Sequence, residues 1–126
     1  MNKISLLFFS FLILSSCEKD SPIFVDFRDQ LIGKYQVKEE KFCYGPCGDC
    51  YSLRDTTLSV YYGSTASSIR LSLSDREFQL DENGVYAGQY FNMRLWKDSI
   101  YTYTRNGGLG CGCVLINEGY RISKKP

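Results

Sequence analysis

Two rhythms divide the chain. Ile4 to Leu14 is apolar almost without a break, interrupted only by Ser5 and Ser10. Beyond it, apolar side chains recur at every second position: Tyr35 and Val37, then Leu58, Val60 and Tyr62, then Ile69, Leu71 and Leu73. Phe78 with Leu80, and Met93 with Leu95, keep the same period. A period of two puts such residues on one face of a strand and leaves the other face to polar neighbours. Ile100 to Thr104 and Val114 to Ile116 close the series. Asp81-Glu82-Asn83-Gly84 separates two runs and reads as a hairpin turn, with glycine where φ must be positive. Ahead of the first strand, Asp26 to Gly33 predicts one short helix. Asp26 is placed to cap it, Phe27 and Leu31 share a face, and Gly33 suits the left-handed C′ position.

All ten tyrosines fall after the apolar leader, a density that suits half-buried strands. Short strands split by Gly, Asn and Ser turns predict an all-β domain. The architecture is a single antiparallel up-and-down barrel or, as the alternative, a β-sandwich.

The leader carries its own chemistry. Lys3 supplies one positive charge before an h-region too short for a stable membrane span, which needs roughly 20 apolar residues. It ends in Leu14-Ser15-Ser16-Cys17. This sequence resembles the lipobox of bacterial lipoprotein precursors, which implies cleavage before Cys17 and attachment of palmitate-class acyl chains to its thiol. Two or three chains hold a soluble domain on a bilayer stably, whereas one gives only marginal binding. The expected organisation is a signal peptide over 1–16, a lipidated tether over 17–25 and the β-domain over 26–126. Glu18-Lys19-Asp20 directly follows Cys17 in the tether, and acidic residues there resemble a surface-export signal of some Gram-negative lipoproteins. An outer-membrane anchor facing the periplasm or the cell surface follows as the expectation, with the leaflet open.

The barrel is preferred on a second resemblance. Leu31-Ile32-Gly33-Lys34-Tyr35 resembles the Gly-x-Trp opening of lipocalin-like (calycin) barrels, where a short helix leads into the first strand. It departs from that pattern in having Tyr for Trp, and the chain is short for a full lipocalin. The resemblance implies that an Arg near the end of the last strand, here Arg121, stacks on Tyr35 as a cation–π pair that closes the barrel. It also implies a small apolar ligand held in the interior or mouth, although fold alone does not license function.

Five cysteines follow Cys17. Cys43, Cys47 and Cys50 lie after the first strand; Cys111 and Cys113 lie in a glycine-rich segment before the last. In a closed meander the first and last strands pair antiparallel, so both groups meet at one end and the helix takes the other. Disulfides are the first expectation for an exported chain, with one thiol left over by the odd count. A closed thiolate zinc site ranks second, and a redox pair at Cys47 and Cys50 third. Strand parity adds a constraint. If Tyr120 and Ile122 face inward with Tyr35 and Val37, Cys43 cannot oppose Cys113 without a bulge at Gly119 or a hairpin turn over Asn117-Glu118-Gly119.

Charge is near balance, 15 basic against 14 acidic residues, which gives no footprint for nucleic acid. Histidine is absent, which removes Ser-His, Cys-His and His-ligated zinc chemistry. Glu39 and Glu40 are adjacent, so on a strand they face opposite ways and read as solvated or rim groups rather than a paired acid and base. The Asp81–Gly84 segment lacks the remaining ligands of a calcium loop. Tyr61, Tyr62, Trp96, Tyr101 and Tyr103 read as sheet residues before a binding platform. No enzyme, cofactor or metal centre is therefore expected. The first expectation is a binding module for a small apolar or amphipathic ligand, in an interior lined by Val37, Leu58, Val60, Leu71 and Phe78. The alternative is an envelope interaction or assembly subunit that presents its cysteine-stapled loops.

Overall fold

A computed structural model of the chain describes residues 26–126 except Cys47 and Leu109. The leader, the cleavage site, Cys17 and the tether lie outside the described residues. The domain is an eight-stranded antiparallel sheet curled into a nearly closed barrel. Its strands are β1 (Gly33–Tyr44), β2 (Cys50–Tyr62), β3 (Ser68–Leu71), β4 (Glu77–Gln79), β5 (Val85–Ala87), β6 (Phe91–Trp96), β7 (Ser99–Gly108) and β8 (Cys111–Ser123). The order is β4-β3-β2-β1-β8-β7-β6-β5, so the first and last strands pair at the centre of the sheet. The seam falls between β4 and β5. There the rings of Phe78 and Tyr86 meet edge to face at 5.1 Å, and Asp81-Glu82-Asn83-Gly84 turns with Gly84 at φ 72°. The Asp81 carboxylate accepts the Asn83 and Val85 amides, so the segment is a turn built on Asp81 rather than an ion loop.

The expected helix is a 3₁₀ turn, Phe27–Gln30, capped by Asp26 as anticipated. Gly33 does not serve as its C′ residue but opens β1. One turn is too little for an α-helix to hold itself, so tertiary contacts fix it. Arg28 donates to the Thr65 and Ser68 carbonyls and lies 5.0 Å over the Tyr62 ring, which pins the turn to the β2–β3 end. Its guanidinium also holds the Asp26 carboxyl below the ordinary range.

The core is a single cluster, and the alternation that predicts it is what fills it. Tyr35, Val37, Leu58, Val60, Ile69, Met93, Leu95 and Ile100 are at most 1% exposed, and Leu71, Phe78 and Leu80 are also buried. Side chains with so little free surface face no void that would admit water, so the interior is packed rather than hollow. Leu73 falls outside the pattern: β3 ends at Leu71, and Leu73 is exposed.

The parity expectation for the last strand is corrected. Tyr120 and Ile122 point outward, at 62% and 51% exposed, and Gly119 and Arg121 are the inward residues. Tyr35 opposes Arg121 and Cys43 opposes Cys113 in one unbroken register. Neither a bulge at Gly119 nor a turn over Asn117–Gly119 occurs. The one irregularity lies between Lys34 and Tyr35, where Lys34 opposes Ser123 and Ile122 is skipped. Gly119 has a different job. A Cβ there would stand 2.0 Å from the Gln36 carbonyl oxygen and 2.7 Å from the Val37 Cα, so only glycine lets β8 lie this close to β1. Gly119→Ala is expected to cost roughly 1–3 kcal/mol by forcing backbone apart beside buried Val37. Urea unfolding would test this, and an unchanged midpoint would remove the close-approach argument.

Candidate functional site

The four central strands are long and their flanking partners short. β3 pairs with β2 only over Val60–Tyr62, and β6 pairs with β7 only as far as Thr104. The far ends of β1, β2, β7 and β8 therefore run beyond the rest of the barrel as a four-stranded flap. Its inward face is ordered in rows fixed by the register. Nearest the core, Arg54, Glu39, Asn117 and Thr102 stand side by side; Ser52, Lys41, Leu115 and Thr104 follow. At the tip stand Cys50, Cys43, Cys113 and Asn106.

The first row is a polar lid on the apolar core. Glu39 is 7% exposed and bound by the Arg54 guanidinium, which corrects its reading as a solvated group. Glu40 faces the opposite way, as adjacency requires, and accepts the Tyr51 hydroxyl at 3.1 Å. That bond raises the Tyr51 pKa above its ordinary value. Asn117, almost fully buried, donates to Thr102 at 3.2 Å. Its Oδ1 has no partner among the described residues.

At the tip the two cysteine groups meet, as the first-to-last strand pairing requires. Cys43 and Cys113 form a disulfide across β1 and β8, with Cα atoms 4.1 Å apart. Cys111 is also disulfide-bonded. Cys50 is an exposed free thiol, directly opposite Cys43 on the other side. The Sγ atoms of Cys43, Cys50 and Cys113 lie within 4.8 Å of one another. A zinc set would need these sulfurs as separate thiolates, and two of them are joined to each other. Cys47, the remaining candidate, lies outside the described residues, and so does the Cys47–Cys50 redox pairing. Beside this row is a recess of about 450 Å³, walled by Tyr44, Asp49, Asn106 and the glycines of β7 and β8. Glycine at 112 lets the Tyr44 ring lie against β8: a Cβ there would stand 2.5 Å from the Tyr44 hydroxyl.

The other end of the barrel holds Tyr35 and Arg121. They are direct cross-strand partners, and the guanidinium donates to the Ile32 carbonyl and to Asp98. The Tyr35 hydroxyl donates to the Leu31 carbonyl at 2.6 Å. Trp96 and Tyr101 lie on the outer face, where a groove of about 730 Å³ runs over β5 to β8 beside Arg94 and Glu118. Tyr61 and Tyr62 are exposed as well, and the Tyr62 hydroxyl donates to Asp29. Sequence reading missed the Glu39–Arg54 pair and the Asp98–Arg121 pair. Their signal is a charge at an inward strand position, Glu39 in the first pair and Arg121 in the second, visible only once the register is known. Compared with family models, with curated proteins and with solved structures, the chain has no match.

Proposed function

We propose that the protein is a lipid-anchored extracytoplasmic lipoprotein whose β-domain works without catalysis, as an interaction subunit of the cell envelope. Its cysteine-stapled end meets a protein partner. The observation that carries the choice of partner is the packed interior: Tyr35, Leu58, Met93 and Leu95 fill the space that a barrel ligand would need. The cysteine end is open by contrast, with an accessible recess, an exposed aromatic rim of Tyr44 and Tyr51, and covalent bracing. Aromatic side chains on a rigid support suit protein recognition, since little entropy is lost on contact. The anchor rests on the Leu14-Ser15-Ser16-Cys17 pattern. No helix among the described residues is long and apolar enough to cross a membrane.

A second reading has its own observation. The outer groove beside Trp96 and Tyr101 offers an apolar seat for a small amphipathic ligand outside the barrel. The two separate by site-specific photocrosslinking in living cells, with the probe at Tyr44 or Tyr51 and, as the control, at Tyr62. Adducts to one envelope protein are expected from the first two positions only, and they should vanish in Cys17→Ala, which also should take up no alkynyl palmitate. Acyl labelling of the Cys17→Ala chain would defeat the anchor. A co-purifying small molecule in native mass spectra, lost in Trp96→Ala, with no adduct from the cysteine end, would replace the partner reading.

A further inference from the structure

Among the described residues Cys43 has two cysteine neighbours, and it can bond only one at a time. On β1 it stands opposite Cys113 of β8 and, on its other side, opposite Cys50 of β2. It is joined to Cys113, while Cys50 keeps an exposed free thiol whose sulfur lies within 4.8 Å of both others. We propose that this row is a thiol–disulfide exchange site, in which the cross-link passes between Cys43–Cys113 and Cys43–Cys50.

The step balances within the chain. The Cys50 thiol gives its proton to solvent, and its thiolate attacks the Cys43 sulfur. A bond forms between Cys50 and Cys43 as the bond between Cys43 and Cys113 breaks. The electron pair leaves on the Cys113 sulfur, which takes up a proton. One disulfide and one thiol stand on each side, so no oxidant or reductant is consumed.

Geometry makes Cys43 the pivot. Adjacent strands lie about 4.8 Å apart, so Cys43 is within bridging range of both neighbours. Cys50 and Cys113 are two strands apart, roughly 10 Å between Cα atoms, beyond the distance that a disulfide spans without backbone movement. Both ladders around Cys43 are already formed, so exchange asks only for side-chain rotation. The recess is lined by all three of these cysteines together with glycines of β7 and β8, and it leaves the sulfurs open to solvent and to trapping reagents. The two isomers hold different things. Cys43–Cys113 ties residues 70 apart and fastens the first strand to the last. Cys43–Cys50 ties one hairpin and releases the Cys113 thiol on β8.

The test uses the full-length oxidised protein, held at about pH 8.5 to populate thiolate. It is sampled over time, alkylated with N-ethylmaleimide and sequenced by mass spectrometry. Label is expected on Cys50 at first and then on Cys113 too, reaching within roughly tenfold of the Cys50 level. Cys50→Ser should keep label off Cys113 with an unchanged melting temperature. Cys113→Ser should contain a Cys43–Cys50 disulfide and leave Cys50 unlabelled. Label confined to Cys50 in the native chain at long times would overturn the proposal. So would labelling of both Cys43 and Cys50 in Cys113→Ser.

Discussion

Tyr35→Ala is expected to lower the unfolding free energy by about 4 kcal/mol, near the upper range for truncating a buried aromatic. The ring has no exposure and sits where the 3₁₀ turn meets β1, between Leu58 on β2 and Arg121 on β8. Its removal leaves a void that the short turn is too small to fill, and strips the Leu31 carbonyl of its donor. Tyr35→Phe isolates the second effect and is expected to cost about 1 kcal/mol. Urea denaturation of the three proteins would separate these contributions, and a loss below about 1 kcal/mol for the alanine variant would mean that the ring is not part of the core. The same residue gives the domain an alkaline limit. Burial pushes the Tyr35 phenol up to about 12 from an ordinary 10. The native state holds the neutral form, and the unfolded chain loses its proton first. This contribution is whole below about pH 10 and is lost as pH rises toward 12. Tyr35→Phe should lose less stability across that window than the parent.

Full reduction is expected to cost about 4 kcal/mol, the chain entropy of a loop of this size. The Cys43–Cys113 bridge spans 70 residues and encloses most of the domain. Because Cys111 is disulfide-bonded as well, the figure belongs to reduction of the whole chain and not to one substitution. In a domain of about a hundred residues it corresponds to a fall in melting temperature of roughly 20 °C. Thermal melts with and without a phosphine reductant would measure it. A difference of only a few degrees would show that the ladder alone holds the flap and that the bridge adds little.

Most of the strand pattern was legible because one face of each strand is buried. Tyr35/Val37, Leu58/Val60, Ile69/Leu71 and Met93/Leu95 all occupy the core that their alternation predicts. The last strand was not legible by the same rule. Its inward positions carry Asn117, Gly119 and Arg121, each for a reason that hydropathy does not encode: a polar row, a close approach and a capped carbonyl. Its apolar Tyr120 and Ile122 face outward, so parity read from them is inverted. The meeting of the cysteine groups followed from the topology, whereas which cysteine stays free depends on a one-residue register. The burial of Glu39 depends on Arg54, 15 residues away, and no local pattern reports it.

The pairing of β1 with β8 also sets a timetable. A chain made from its N-terminus completes the middle of this sheet last, because the neighbour that β1 awaits is the last of the eight strands to be made. Such long-range closure is slow to nucleate, so the nascent domain stays open until β8 has been made. Through that interval the β1–β2 hairpin is the only part of the cysteine row able to assemble. The bridge seen in the finished barrel is thus a late arrival at a sulfur whose nearer companion was present from the start.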